Sequence, residues 1–430
     1  MRLEYELYAL KNGARILLIP AKTTNSVNIH ALLNSGAALE SKETQGLTHL
    51  VEHMALTCTE SWPTKEILNT ETEYVGGGLN GSTGKETLEY YITLPYTKVE
   101  FGVKVIYEVL YKSLITEKNL KTERTVIIDE INKSIDDPMH LDGDFIYNKL
   151  YGNDNGYSYD TAGTKETVRS FTLDQVKEHY KFAHSSQKLL FAISGNFDTK
   201  EVKEIIEKTI GSVNHKADTL NYYAPSAGKN LVETEFNSKT EQIFADVMFE
   251  FKGLKDLPYR ETLIGDLTRV LLAGPMSSRL KKRLREEEGL LYGIGMGSSV
   301  YHKFGSISIS YEIDPVNYEK CFTILNEELK KVAEKGVTEK EIEHYREYMI
   351  NRWLLKYDDP KSYSRLIKYP IFLGLEVKHL DEMIADLKSI TKKEIDAFIK
   401  ENLDLNKANY FAFGNITDQT KEFMKKNAIQ

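Results

Sequence analysis

Residues 115–138 read ITEKNLKTERTVIIDEINKSIDDP, and residues 337–360 read VTEKEIEHYREYMINRWLLKYDDP. The two stretches align without a gap at an offset of 222, with eight identities in 24 positions. FTLDQVKEHY at 171–180 matches ITKKEIDAFI at 390–399 at the similar offset of 219. Since separate blocks keep nearly the same offset, we infer that the chain contains one architecture twice.

The length of the chain and its repeat predict two homologous domains. A chain of 430 residues exceeds the size at which a single hydrophobic core stops growing, about 250–300 residues. We expect a first domain at residues 1–217, a linker at 218–230 and a homologous second domain at 231–430. The linker region contains Pro and Gly and has no clear hydrophobic period.

Each half of the sequence mixes strands and helices. In the first half, ARILLIP and SVNIHALLNSG are typical of strands, and long helices are predicted at 117–135 and 338–357. The strands cluster instead of alternating one for one with helices. We therefore predict an α+β fold in which each domain is an antiparallel-rich sheet with helices packed on it.

Composition and charge exclude several classes of function. The hydrophobic content of 41%, the charged content of 28% and the net charge of −8 are typical of a soluble globular protein and argue against a nucleic-acid partner. No run of 18 apolar residues is present, so no membrane span is expected. The chain has two cysteines, Cys58 and Cys321, and begins without a signal-peptide core. We therefore expect a reducing, cytoplasmic location.

The segment His49-Leu50-Val51-Glu52-His53 predicts a metal site. Two histidines four residues apart lie on one face of a helix and can bind one metal ion. Glu52 borders that face, and a carboxylate in this place can act as the base in metal-assisted peptide hydrolysis. The order HxxEH is the inverzincin signature. The alternative is an exposed helix with ordinary polar residues.

A catalytic zinc ion usually takes three protein ligands, so the two histidines need a third partner. Glu123 and Glu130 lie seven residues apart in the repeated stretch and project from almost the same helix face. Their counterparts in the second half are Tyr345 and Arg352, and that half also lacks HxxEH. The first half therefore keeps a set of candidate ligands that the second half lacks. Taken alone, the two glutamates are also compatible with a solvated helix surface.

Together these features resemble the M16 peptidases, the insulinase and pitrilysin family, over essentially the whole chain. The two-domain size resembles the mitochondrial-processing-peptidase-like M16B branch. In the family, HxxEH precedes a glutamate of an E-x6-E helix by about 75 residues, and here His53 and Glu130 are 77 positions apart. The resemblance implies that His49, His53 and Glu130 bind one zinc ion per chain, with Glu52 as general base and Glu123 as a supporting carboxylate.

The stretch GGGLNGSTGKETLEYY at 76–91 also resembles the family, with Asn80 and Thr83 in place and Gly81 where alanine is usual. The resemblance implies that Asn80 and Gly81 lie on an edge strand lining the substrate cleft. An extended peptide can pair with such an edge through main-chain hydrogen bonds. The alternative is an ordinary sheet strand with a glycine turn.

In the second half, SSRLKKRLREEEGLLYG at 277–293 resembles a family segment that contains an Arg and a Tyr. The resemblance implies that Arg285 and Tyr292 contact substrate, with the phenol near the developing oxyanion. Both side chains donate hydrogen bonds, which suits that role. From charge alone, a solvated basic helix end would be the favoured interpretation of this segment.

The chain departs from the family after HxxEH, where MxFxGT is frequent and residues 54–59 read MALTCT. This departure leaves the predicted ligands intact and concerns the pocket wall and substrate preference. We expect Cys58 to be a small buried residue.

The resemblance implies a zinc-dependent endopeptidase that hydrolyses peptides or unfolded segments inside a dimeric chamber. The dimer would consist of identical chains or include a related M16 chain, and Arg285 and Tyr292 would serve the zinc site of the other subunit. Two alternatives stay open. One is a non-catalytic, peptide-binding subunit on the same fold. The other is a dedicated maturation protease for a ribosomally made peptide.

Overall fold

The computed structural model describes residues 2–215 and 221–428 and divides into two compact units. Of the predicted linker 218–230, residues 218–220 lie outside the described residues. The first unit comprises residues 1–133, 154–222 and 356–380. The second unit comprises residues 134–153, 223–355 and 381–430.

The strands of the described ranges form two sheets, one in each unit. Their bounds are β1 Glu6–Ala9, β2 Arg15–Pro20, β3 Ser26–Leu33, β4 Gly78–Thr83, β5 Leu88–Pro95, β6 Leu189–Gly195, β7 Val232–Phe236, β8 Ile243–Lys252, β9 Ile294–Val300, β10 Phe304–Ile313 and β11 Asn409–Gly414. The first sheet has the order β1-β2-β6-β3-β5-β4, and the second has the order β7-β11-β8-β10-β9.

Helices cover these sheets and confirm both long helices predicted from the sequence. Their bounds are α1 Leu47–Ala55, α2 Lys65–Tyr74, α3 Val99–Tyr111, α4 Glu117–Ile135, α5 Pro138–Tyr151, α6 Lys165–Ser170, α7 Leu173–Ala183, α8 Thr199–Lys208, α9 Tyr259–Ala273, α10 Arg279–Lys281, α11 Tyr318–Lys335, α12 Glu339–Lys356, α13 Pro360–Leu373, α14 Leu380–Lys388, α15 Lys392–Asn402 and α16 Asp418–Asn427. Helix α10 continues as a π-helical turn over Lys282–Glu287.

The two sheets have the same topology once β1 is set aside. Strand β2 pairs in parallel with β6, and β7 pairs in parallel with β11, whereas the other pairings are antiparallel. Reading across each sheet, β2-β6-β3-β5-β4 matches β7-β11-β8-β10-β9. This match confirms the predicted α+β fold with two antiparallel-rich sheets and agrees with the duplication inferred from the sequence.

The compact units are not continuous in sequence, because the two halves exchange a helix. Helix α5 comes from the first half but lies in the second unit, and α13 comes from the second half but lies in the first unit. Helix α5 packs apolar side chains such as Phe145 against Phe411 and Phe413 of β11. Helix α13 packs on β6, and Arg15 of β2 donates hydrogen bonds to its last carbonyls. The predicted linker at 218–230 separates the two repeats along the sequence. The boundaries of the compact units lie elsewhere, because α5 and α13 each belong to the unit of the other half.

Helix α13 is attached to the first sheet by a buried polar cluster. The Lys368 ammonium donates to Nδ1 of His30 at 2.7 Å, and Nε2–H of His30 donates to Glu89 at 2.8 Å. Burial lowers the pKa of His30 and lowers the pKa of Lys368 to about 8. The carboxylate therefore holds the imidazole in the tautomer that accepts from the lysine.

The second unit has a carboxyl pair at the corresponding place. Asp246 occupies in β8 the position that His30 occupies in β3, because Ile243 and Val27 pair with equivalent glycines. Asp142 of α5 hydrogen-bonds to Asp246, and both are buried. Burial, together with the neighbouring Asp246, raises the pKa of Asp142 to about 9, and burial raises the pKa of Asp246 to about 6. When Asp142 is protonated, its hydrogen bond to Asp246 therefore attaches α5 to strand β8.

This pair predicts that the second unit loses stability as the pH rises. Unfolded Asp142 would release its proton near pH 4, whereas the folded side chain retains it until about pH 9, so unfolding becomes more favourable across that window. Asp142→Asn keeps a donor toward Asp246 and removes this titration. We expect the melting temperature to fall less between pH 5 and pH 8.5 in Asp142→Asn than in the native chain, by roughly 2–4 °C for each kcal/mol of pH-dependent stability that the substitution removes. Calorimetry at both pH values measures the difference.

Asp144 on the same helix provides the control, because its side chain is 39% exposed. Asp144→Asn should show the native pH dependence. An equal alkaline loss of melting temperature in the native chain and in Asp142→Asn would contradict the proposed role of the pair.

Candidate metal centre

Helix α1 carries the HLVEH segment and is fixed by its apolar face. Leu50, Val51 and Met54 are fully buried in the core of the first unit, so His49, Glu52 and His53 lie on the other side of the helix. The helix begins after Gly46, whose φ of +90° favours glycine. The carboxylate of Glu40 accepts hydrogen bonds from the amides of Gly46 and of the second helical residue. This buried cap fixes where the helix starts.

The three predicted ligands come together at one point. Oε2 of Glu130 in α4 lies 3.8 Å from Nε2 of His49 and 3.6 Å from Nε2 of His53. One donor atom from each residue lies within 4.8 Å of the other two. Tetrahedral zinc with bonds of about 2.0–2.2 Å needs ligand atoms roughly 3.3–3.5 Å apart. The donor set and the spacing therefore fit a zinc-type ion with small side-chain shifts.

The histidines differ in their surroundings. Burial, together with His53, lowers the pKa of His49 to about 4, so its ring is neutral at physiological pH and able to bind a metal. Burial would also lower the pKa of His53, but the hydrogen bond to Glu123 and the charges of Glu130 and Glu52 raise it. A metal ion at this point would replace the proton of His53.

Glu123 hydrogen-bonds to the ring nitrogen of His53 that does not face Glu130. Its Oε2 accepts from Nδ1 of His53 at 3.2 Å, which leaves Nε2 free to face Glu130. Its Oε1 accepts from the ammonium of Lys65 at 2.9 Å. Burial would raise the pKa of Glu123, but these two hydrogen bonds hold it below its usual value. A carboxylate on the outer nitrogen of a ligating histidine fixes the tautomer and the ring orientation.

Glu52 lies beside the cluster and faces strand β4. Thr83 donates a hydrogen bond to its Oε2 at 2.5 Å. A Cβ atom on Gly81 would lie 2.6 Å from Oε1 of Glu52, so the glycine makes room for the carboxylate. Burial raises the pKa of Glu52, and the hydrogen bond from Thr83 partly opposes this shift. A carboxyl group with a raised pKa is suited to accept and return a proton.

The two residues predicted to line the cleft lie on the expected edge strand. Among the residues that the structure describes, strand β4 is the last strand of the first sheet and pairs with β5 alone. Asn80 is exposed, donates to the hydroxyl of Tyr91 at 3.2 Å and accepts from the amide of Gly81 at 3.0 Å. The strand also packs against helix α1, which carries the HLVEH segment.

Arg285 and Tyr292 belong to the second unit and contact each other. The Arg285 guanidinium donates to the carbonyl of Tyr292 at 2.7 Å and lies 4.6 Å from the centre of its ring. The Tyr292 side chain is otherwise open, with 85% of the residue exposed. Arg285 and Tyr292 therefore contact each other at the surface of the second unit.

Cys58 is buried, as predicted, and its sulfur accepts from the side-chain amide of Asn119 at 2.9 Å. Cys321 is buried as well, and neither cysteine forms a disulfide. None of the helices within residues 2–215 and 221–428 combines the length and apolar character that a bilayer crossing needs.

Lys65 is the member of this network that the sequence did not suggest. It lies 58 residues from Glu123, and no short motif joins the two. One signal is present in the repeat, because Lys65 is the first residue of α2, which follows α1, and Arg279 is the first residue of α10, which follows α9. A cation repeated at equivalent helix starts would have pointed to a shared contact.

Comparison with protein-family models finds two matches that cover most of the chain. Residues 15–164 match the model described as insulinase (peptidase family M16), and residues 170–349 match the model described as the peptidase M16 inactive domain. A Bacillus subtilis protein named uncharacterized zinc protease YmxG is 28% identical over 92% of this chain and 94% of its own length.

Solved structures show the same fold. The crystal structure of a protease from Helicobacter pylori superposes with a TM-score of 0.86 at 14% identity and covers 96% of this chain and all of the other. The periplasmic protease PqqL from Escherichia coli superposes with a TM-score of 0.83 at 16% identity. All of this chain is covered in that comparison, but only 51% of PqqL.

The geometry predicts that zinc stabilises the first unit through Glu130. Zinc at 100 times its dissociation constant should add roughly 2.7 kcal/mol to the free energy of unfolding. Glu130→Gln should lose most of this gain, because a neutral amide replaces a carboxylate ligand. Calorimetry of the zinc-free protein with and without added zinc measures the gain.

Asp129→Asn is the matched control, since Asp129 is the exposed neighbour of Glu130 on the same helix. The control should keep the full zinc-dependent gain. If Glu130→Gln binds zinc as tightly as the native chain does, Glu130 is not a ligand.

Proposed function

Because the chain belongs to the M16 peptidase family, we propose that it is a zinc-dependent endopeptidase that hydrolyses peptides or unfolded segments. The observation that supports this function best is the meeting of the donor atoms of His49, His53 and Glu130 within 4.8 Å of one another. Glu52 lies next to this cluster, as a proton acceptor must. The zinc protease name of the Bacillus relative agrees with the proposed metal.

His49, His53 and Glu130 would hold the zinc ion. When bound, the ion would supply Lewis-acid polarisation of a water molecule and of the scissile carbonyl. Glu52 would take the proton from the attacking water and pass it to the leaving amine. The hydrogen bond from Thr83 would fix the orientation of the Glu52 carboxylate during both proton transfers. Glu123 would keep Nε2 of His53 directed toward the ion.

The free edge of β4 would bind the substrate. An extended peptide can add to a sheet edge through main-chain hydrogen bonds, which makes binding largely independent of side chains. Asn80 and Gly81 lie on this edge, and Gly81 faces Glu52. A peptide or an unfolded segment can adopt this conformation with its main-chain groups unpaired, whereas most main-chain groups of a folded protein are already hydrogen-bonded. The substrate class follows from this requirement.

Arg285 and Tyr292 would contact the substrate and stabilise negative charge on the carbonyl oxygen. We propose that they serve the zinc site of a second subunit, in a dimer of identical chains or with a related M16 chain. The length comparison supports such pairing, because this chain matches 51% of PqqL, so two copies supply about the length of that protein. We propose the cytoplasm as its location, since both cysteines are free.

A second candidate is a non-catalytic, peptide-binding subunit. The match of residues 170–349 to the model named the inactive domain favours it for the second half. The first half, however, matches the insulinase model and keeps the clustered ligands. A maturation protease for a ribosomally made peptide is a narrower form of the endopeptidase proposal, and a peptide-library digest would test it.

We predict that Glu52→Gln strongly reduces turnover and leaves zinc binding intact. The amide preserves the size of the side chain and its hydrogen bond with Thr83, but it cannot accept the proton. Loss of general base catalysis should lower kcat by about 10²–10⁴-fold. Peptide hydrolysis together with metal analysis of the purified variant measures both properties.

Glu60→Gln serves as the control, because Glu60 is an exposed residue close in sequence. It should behave like the native chain. Turnover by Glu52→Gln at the native rate would remove Glu52 from the mechanism.

Mixing two inactive variants tests the shared site. If Tyr292 acts in the partner's site, a dimer of Glu52→Gln with Tyr292→Phe has one complete site, and a random mixture regains about a quarter of native activity. If each chain uses its own Tyr292, no site in the mixture is complete. Peptidase activity measured before and after subunit exchange distinguishes the cases, and the absence of recovery would refute sharing.

A further inference from the structure

We propose that Lys65 is a positioning residue for the metal ligand His53 and that it acts through Glu123. This inference rests on the proposed zinc site, but it concerns a lysine outside the HxxEH and E-x6-E motifs. The chain of contacts runs from the Lys65 ammonium to Oε1 of Glu123 at 2.9 Å, and from Oε2 of Glu123 to Nδ1 of His53 at 3.2 Å.

The burial of these residues shows why the lysine matters. Glu123 is 1% exposed, whereas the side chain of Lys65 is 52% exposed. A buried carboxylate without a cationic partner is costly, and removal of one partner leaves the charge uncompensated. Lys65 supplies the compensating cation from the protein surface. It also occupies one carboxylate oxygen, so that the other stays directed at His53.

The position of Lys65 is itself fixed. It is the first residue of α2, and the side chain of Thr64 caps this helix by accepting from the amide of Ile67 at 3.2 Å. A capped helix start holds the Cα atom of Lys65 in place, so the ammonium needs only its own side-chain rotamers to reach Glu123. The contact therefore links the beginning of α2 to the middle of α4.

The second unit has a similar contact in a different place. Arg279, the first residue of α10, donates to both carboxylate oxygens of Glu341 in α12, at 2.5 and 2.7 Å. At the offset of 222, however, Glu123 corresponds to Tyr345, and Glu341 lies four residues earlier, about one helical turn. Tyr345 instead donates to the carbonyl of Ser277.

This comparison separates two possible roles for the contact. A cation and a carboxylate can join these two helices without a metal site, as in the second unit. In the first unit, the carboxylate stands one turn further along, where it also reaches His53. The placement of Glu123 therefore favours a role in orienting the ligand over a role in joining helices alone.

The test measures zinc affinity without any substrate. The zinc dissociation constants of the native chain, Lys65→Met and Lys65→Arg are determined by competition with a chelator at fixed pH. We expect Lys65→Met to bind zinc up to about 10-fold more weakly, the lower end of the effect of losing a histidine's direct outer partner, because Lys65 acts on His53 through Glu123. Lys65→Arg retains the cation and should stay close to the native affinity.

Arg279→Met provides the matched control, because it removes the helix-joining cation of the unit that lacks the metal residues. It should lower the melting temperature of the zinc-free protein and leave zinc affinity unchanged. Saturating zinc should return the kcat of Lys65→Met close to the native value. The lysine would thus influence catalysis through the occupancy of the site.

Native zinc affinity in Lys65→Met would overturn the proposal. So would a loss of affinity that Arg279→Met shares, because that result would make both contacts purely structural. A native chain that binds zinc but cleaves no peptide would refute the proposed function and leave the Lys65 test valid. A native chain that binds no zinc would refute both.

Discussion

The hydrogen bond between His53 and Glu123 is the contact on which the candidate site depends. It joins helix α1, which carries both histidines, to helix α4, which carries Glu130. Without this bond the ring of His53 could turn either nitrogen toward the cluster. With it, Nε2 faces Glu130 and the three donor atoms converge. A buried carboxylate at the meeting point of two helices therefore determines the geometry of the site.

The same contact explains how the two halves have diverged. Both units have the same strand order once β1 is set aside, and each has a cation at the start of a helix, Lys65 in α2 after α1 and Arg279 in α10 after α9. The second unit has Tyr345 where the first has Glu123, and its carboxylate lies one turn earlier. Its helices are still joined, but no carboxylate occupies the place that would orient a ligand. A carboxylate shifted by one helical turn thus only joins two helices in the second unit, whereas in the first unit it also hydrogen-bonds to a candidate metal ligand.

Each unit also buries ionisable side chains where the exchanged helix meets its sheet. In the first unit the cluster contains Lys368 and His30, and in the second it contains Asp142 and Asp246. The central residues of the two clusters occupy equivalent strand positions but have opposite acid–base character. Such groups stabilise the fold only in particular protonation states. The stability of each unit therefore depends on pH through these buried side chains.

The sequence by itself determined the duplication, the α+β class and the face of α1 that carries His49 and His53. These features follow from local periodicity, because a helix places residues four apart on one face whatever lies around it. Glu130 was also within reach, since the repeat singled out the helix that contains it. Only the tertiary structure decided that α5 and α13 exchange units, that Thr83 and Gly81 hold Glu52, and that Lys65 reaches Glu123. The physical reason is that an apolar pattern determines which face of a helix or strand is buried. The element against which that face packs is determined by contacts between residues far apart in the chain.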